Sequence, residues 1–433
     1  SLSSVRHQED KNTIFRSDFT MKLFFFYALL LSPTSSIANA FTATTPGVKA
    51  TKKVGNEPVP GLKNGMDYIQ LGDSDLVVSK VCMGTMTYGE QNTLEEGVEL
   101  LNRAFDEYGI NFLDTAEIYP VPTNAETQGK TDKAIKLFLQ SRKGNREEVI
   151  VATKVAGPGN TWLPRRGGEG TTSDLTREQI IDSVNASLER LGVDYIDLLQ
   201  IHWPDRHAGG LFGQGDFLPS SYEAMKEKME PVSFQDQLAA LQELIQEGKV
   251  RYVGLSKETP YGVCSMCELA KNFPDLYPKI VSIQNSYSLV VRKDYEAGLS
   301  EACYHYNVGL LPYSPLASGT LSGKYRSAEV RESNQPRLTK FPGFMDRYLN
   351  SQNEQAVNAY CDLAERHGMT PTTMALSWCY HRELVASTII GVTSMEQLEE
   401  NCKAYDTRLS NELLEEIDGI YKQYTDPTKA RNK

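Results

Sequence analysis

From about Tyr68 onward, short apolar or β-branched runs alternate with amphipathic stretches along the chain. The runs KVCMGT (80–85), NFLD (111–114), VIVATKV (149–155), YIDLLQIH (195–202), VRYVGLS (250–256), VSIQNS (281–286), GLLPYS (309–314) and ASTIIGV (386–392) read as eight strands. Their near-continuous apolar character fits strands covered on both faces, as in a parallel sheet, and not the alternation of a half-wet antiparallel one. Between them, TREQIIDSVNASLERLG predicts a helix with Thr176 and Gln179 as a capping box. Ile180, Ile181, Val184, Leu188 and Leu191 lie along one face, and Gly192 is the stop. SFQDQLAALQELIQEGK repeats the grammar: Ser233 caps, Leu238, Leu241 and Ile245 form the stripe, and Gly248 ends it. Strand, helix, strand repeated eight times with right-handed crossovers predicts an α/β fold, a (β/α)8 TIM barrel, with a doubly wound sheet as the alternative. Two long connections, 157–175 after the third strand and 204–232 after the fourth, follow strand ends on the face where a barrel keeps its active site.

The pattern before residue 65 is different. Residues 1–20 precede the first methionine, Met21, and are expected to be a leader outside the fold. Residues 21–40 then have signal-peptide form: a basic Lys22, an apolar core from Leu23 to Leu31 and the small-x-small run Ala38-Asn39-Ala40. That core is too short to cross a bilayer as a permanent helix. Residues 41–64 are rich in Thr and Lys, with no acidic residue until Glu57, and form a transit-like linker before the barrel domain at 65–428 and a tail at 429–433. The order of signal peptide, Phe41 and transit-like segment resembles the bipartite plastid presequences of diatoms and related algae, which implies a plastid destination. The secretory pathway is the competing one.

Composition narrows the partners. A net charge of -11 over 433 residues, with a pI near 5.3, argues against a nucleic-acid or anionic-membrane surface and leaves small molecules. Seven cysteines are too few and too scattered for a secreted disulfide framework, and the close pair Cys264 and Cys267 falls in a helical stretch. Neither a G-x-G-x-x-G turn nor a phosphate-binding P-loop motif follows any strand, so a dinucleotide, if one binds, is not held by a Rossmann turn.

The candidate chemistry sits at strand ends. The second strand ends in Asp114 with Tyr119 in the next loop, the third carries Lys154, and the fourth ends in His202. Taken singly these read as a capped strand, a solvated charge and a structural imidazole. In a barrel, neighbouring strands aim these ends at one mouth. Hydride addition to a carbonyl builds negative charge on oxygen, and a proton donor held there lowers the barrier. A lysine ammonium beside the tyrosine is expected to pull the phenol's pKa down, with Asp114 keeping that lysine charged and His202 bonding the carbonyl oxygen. A metal site at His202 and His207 lacks the accompanying carboxylates.

With TAEIYP, ATKV and LLQIHWP, this quartet resembles the aldo-keto reductases, NADPH-dependent (β/α)8 oxidoreductases, over residues 66 to 426. The wording of HWPDR and SKETPYG is most similar to their Tas-like branch. The resemblance implies Tyr119 as general acid in the reduction of a small-molecule carbonyl, or a cofactor-sensing protein on the same fold with little turnover. It implies NADP(H) contacts at Gly84 and Thr85, carboxamide contacts at Ser256 and Gln284, and a stacking ring at Tyr313. Ser314, Leu316, Ser318, Gly319 and Lys324 match the pyrophosphate loop. Arg337, Gly391, Thr393, Gln397, Glu400 and Asn401 match the adenosine and 2′-phosphate site, and Trp203 and Trp162 are assigned to substrate. Two positions depart from the pattern: Lys257 stands where the relatives usually carry Asn, and Gln397 where many carry an arginine.

Overall fold

The computed structural model describes residues 65–142, 146–163, 172–209, 216–333, 336–343 and 345–429. The expected leader, signal and transit-like segments, and the loop residues Arg165, Arg166 and Phe212, lie outside them. A hairpin of β1 (Tyr68–Gln70) and β2 (Val77–Ser79) precedes β3 (Val81–Gly84), β4 (Phe112–Asp114), β5 (Ile150–Val155), β6 (Ile196–Ile201), β7 (Val250–Ser256), β8 (Ile280–Gln284), β9 (Gly309–Leu310) and β10 (Thr388–Gly391). The last eight form one parallel sheet in the order β10-β3-β4-β5-β6-β7-β8-β9. Its two edges meet, because Ala386 N donates to Leu310 O at 2.8 Å and Ile389 N to Pro312 O at 2.9 Å. The sheet is thus curled on itself, consistent with a (β/α)8 barrel.

Alternation along each strand sorts the side chains. Leu113 and Val151 pack outward with the helices at Leu94–Tyr108 and Lys130–Ser141. Phe112, Ile150, Ala152, Leu198 and Ile389 fill the interior with Leu71, Leu76 and Val78 of the hairpin region. The hairpin therefore closes the end of the sheet where the strands begin. The apolar interior stops one residue pair short of the strands' C-terminal ends, where polar side chains take over.

One cap differs from expectation. Thr176 precedes the helix Arg177–Leu191 without accepting a side-chain cap bond. Its hydroxyl donates to Asp174 Oδ1 at 2.6 Å, while Gln179 turns back to accept from Asp174 N at 3.0 Å and to donate to Thr172 O at 3.2 Å. Asp174 competes successfully because its carboxylate accepts both the Thr176 hydroxyl and the Thr176 N–H. Gly192 ends that helix at φ 65°, a left-handed position that glycine takes without steric cost. Ser233 caps Phe234–Gln246 by accepting from Asp236 N.

Candidate active site

Asp114 is the last residue of β4, and Lys154 lies one residue before the end of the neighbouring β5. Both face the interior. Lys154 is fully buried, with Nζ 2.6 Å from Asp114 Oδ2 and donating to Thr115 O at 2.8 Å. Asp114 Oδ1 accepts from Gln284 Nε2 at 2.8 Å and from Gln200 Nε2 at 3.3 Å. A buried charge persists only when paired and hydrogen-bonded, and this pair has both kinds of support. Burial alone pushes the Lys154 ammonium down in pKa, but Asp114 and then Tyr119 outweigh it and hold it above its ordinary value.

Tyr119 follows in the loop, with Lys154 Nζ 4.9 Å from its ring centroid. The His202 ring stands edge-on to it, centroids 5.9 Å apart at 83°. His202 Nδ1 is buried and has no partner. Burial, then the charges of Lys257 and Lys154, push its pKa well below 6.5, so the ring is neutral at physiological pH. The expectation for Tyr119 is overturned: its pKa is raised above 10, not lowered. Desolvation of the buried phenol is the largest influence, and the lowering by Lys154 is opposed further by Asp114.

These groups open into a cavity of about 1710 Å³. Its wall includes Asp114, Tyr119, His202 and Trp203, together with Gly84, Gln284, Tyr313, Ser314, Leu316, Ser318, Gly319, Lys324, Arg337, Gly391, Thr393, Gln397, Glu400 and Asn401. Thr85 and Ser256 are buried outside that wall, their hydroxyls donating to the carbonyls of Asp114 at 2.8 Å and Gln284 at 2.9 Å. Trp162 is likewise not on the wall; it packs against the apolar cluster of Ile118, Tyr119, Val121 and Leu163.

The segment 314–319 has an unusual backbone. Ser314, Ala317 and Ser318 all take positive φ, at 55°, 48° and 56°, and Gly319 takes 90°. Two of its N–H groups are used inside the turn, Ala317 N donating to Ser314 O and Gly319 N to Leu316 O, both at 2.8 Å. The buried Ser318 hydroxyl has no partner. Lys324 lies across Gly319, where an added Cβ would sit 2.9 Å from its Nζ. Among the described residues the Arg337 side chain donates to a neutral acceptor, Gln91 Oε1, at 3.4 Å. Gln397 closes the start of the helix Met395–Asp406, its Oε1 accepting from Thr393 N at 2.9 Å.

Several participants were not expected from the sequence. Gln200 lies in β6 two residues before His202, so alternation turns it inward, and a glutamine inside an apolar run was the available signal. Arg347 lines the cavity from the short 3-10 helix Asp346–Tyr348, whose sequence carries no such signal.

The sequence profile described as "Aldo/keto reductase family" matches residues 80–422. The chain is 40% identical to Protein tas of Escherichia coli (strain K12) over 364 residues, 84% of this chain and 99% of that protein, and equally to Protein tas of Shigella flexneri. It is 37% identical to an Aldo-keto reductase of Babesia bovis over 290 residues, 65% of this chain and 99% of that one.

Proposed function

The chain belongs to the aldo/keto reductase family, and from that premise we propose that it reduces aldehydes and ketones to alcohols with NADPH, Tyr119 giving the proton. The observation that carries this is the buried Lys154–Asp114 pair, 2.6 Å apart, beneath Tyr119 and His202 at the wall of a large cavity.

Each residue has a definite task. Tyr119 holds its proton through neutral pH and passes it to the substrate oxygen as charge builds there. Lys154 stays charged and stabilises the phenolate left behind, and Asp114 keeps that ammonium oriented toward Tyr119. His202, neutral, can donate one hydrogen bond to the carbonyl oxygen without competing for the proton. Solvent then reprotonates Tyr119.

The residues present fit a nicotinamide nucleotide. The unpartnered Ser318 hydroxyl and the cations Lys324 and Arg337 suit phosphate oxygens. Tyr313 offers a flat ring beside His202's side of the cavity. When bound, the reduced nicotinamide supplies the hydride. Lys324 and Arg337 favour the 2′-phosphorylated form, NADPH over NADH.

The test follows nicotinamide absorbance with a panel of aldehydes and dicarbonyls in wild type and Tyr119→Phe. Tyrosine-dependent turnover supports the reductase; tight NADPH binding with no tyrosine-dependent turnover on any carbonyl overturns it. We further propose plastid import directed by residues 21–64. A fluorescent protein fused to that segment and retained in secretory compartments would refute it.

A further inference from the structure

Beside Tyr313 the cavity carries two cations that the proposed nucleotide contacts do not use. Lys257 follows β7 in a left-handed position, φ 56°, which an asparagine tolerates better than a lysine. Its Nζ donates to the His202 carbonyl at 3.1 Å, lies 3.4 Å from Ser256 Oγ, and stands 5.3 Å from the Tyr313 ring centroid. Arg347 lines the same cavity. One terminal nitrogen donates to the Tyr348 hydroxyl at 3.0 Å and to Ser286 Oγ at 3.5 Å, and its buried Nε has no partner. Among the described residues Arg347 is paired with no carboxylate.

Five cations line the cavity, and Lys429 among them is held by Asp294. Lys324 feels the charge of Arg337, whereas Lys257 feels first that of Lys154, then the opposing charge of Asp114, then that of Arg347. Lys324 and Arg337 accompany the left-handed turn at 314–319. Lys257 stands beside Tyr313, His202 and Ser256, where the carbonyl of the substrate must react, and Arg347 reaches Ser286, whose backbone bridges to Tyr313. Cations brought to one part of a cavity draw an anion to it. A guanidinium with unused N–H groups suits a carboxylate or phosphate, and an ammonium adds a point charge.

Resting on the reductase reading above, we propose that the substrate is an anionic carbonyl compound, a small aldehyde or ketone whose carboxylate or phosphate is seated by Arg347 and Lys257. Its carbonyl oxygen meets Tyr119 and His202. The carbonyl carbon gains a hydride and the oxygen gains the Tyr119 proton, so the alcohol keeps the anionic group unchanged.

The experiment compares kcat/KM within matched pairs on the full chain: a 2-oxo acid against its methyl ester, and a phosphorylated aldehyde against the unphosphorylated one. Wild type, Arg347→Leu and Arg347→Lys are measured, with NADPH binding followed by fluorescence as a check on the fold. Wild type is expected to prefer one charged member at least roughly tenfold, and which pair shows it tells carboxylate from phosphate. Arg347→Leu should lower that preference by about 10- to 100-fold, the range for losing a charge-assisted hydrogen bond, and Arg347→Lys should restore part of it. Equal use of charged and neutral members by wild type overturns the proposal. So does an Arg347→Leu variant that weakens NADPH binding as much as it lowers kcat/KM, which would assign Arg347 to the nucleotide. If no carbonyl is reduced at all, titration of oxalate and of inorganic phosphate into the NADP⁺-loaded chain decides separately. Arg347-dependent binding of either keeps the anion site while the reductase reading falls, and binding of neither overturns the site as well.

Discussion

Gln284 donates its side-chain amide to Asp114 Oδ1 at 2.8 Å, on the carboxylate whose other oxygen holds Lys154. Three strands are thereby tied together at their C-terminal ends. Removing the charge from Asp114 leaves the Lys154 ammonium buried without its partner. Asp114→Asn is expected to cost about 3–5 kcal/mol of stability, as breaking buried pairs does. Urea unfolding measures it, and a loss below about 1 kcal/mol would mean that the Thr115 carbonyl suffices to hold Lys154.

Tyr119→Phe removes the proton donor and keeps the ring that packs with Ile118 and Val121. Carbonyl reduction should fall about 10²- to 10⁴-fold, the usual worth of a positioned general acid. Nucleotide binding, read by fluorescence, is expected to survive. Turnover within a few-fold of wild type would remove Tyr119 from the reaction.

The raised pKa of Tyr119 has a sign that kinetics can read. Reduction needs the phenol, so its rate should stay level through neutral pH and decline only in strongly alkaline solution. Alcohol oxidation needs the phenolate and should rise with pH over the same range. A reduction profile that falls near pH 7 in wild type but not in Tyr119→Phe would contradict this.

His202 links stability to pH. Its folded pKa lies well below 6.5, so the unfolded chain binds the proton first. The contribution is fully present above the unfolded value near 6.5 and is lost as pH falls toward the folded one. Within that window the slope is about 1.4 kcal/mol per pH unit. Urea titrations at pH 7.5 and 5.5 should therefore show a steeper acid loss in wild type than in His202→Asn, and parallel losses would count against a buried neutral ring.

Gly157 faces Trp203 across the cavity rim. An added Cβ would lie 2.5 Å from Trp203 Cδ1 and 2.6 Å from the Trp203 carbonyl oxygen, too close for either to remain. Gly157→Ala should displace the indole, break its bond to Pro158 O, shift its fluorescence and raise KM for carbonyl substrates. Unchanged emission and KM would show that the rim yields without moving the indole.

Much of this was legible in the sequence, and the limits have physical causes. Burial on both faces leaves a local mark, so the eight apolar runs coincide with the eight parallel strands. Strand ends gave the residue types Asp114, Lys154 and His202 for the same reason: a polar residue closing an apolar run is visible without knowing its neighbours. The β1–β2 hairpin was not visible, since strands of three residues carry too little pattern. The cap at Thr176 went to Asp174 because local side-chain competition is decided by geometry, not by spacing alone.

The sequence by itself determined the order of elements, the family motifs and the residue types brought to the cavity, because period and spacing are properties of the chain. Only the tertiary structure decided how those groups act on one another. Whether Tyr119 is more or less acidic than a free phenol depends on desolvation set against Lys154 and Asp114, a balance fixed by residues from separate strands. That Lys257 and Arg347, from segments far apart in the chain, line one cavity follows from the fold alone.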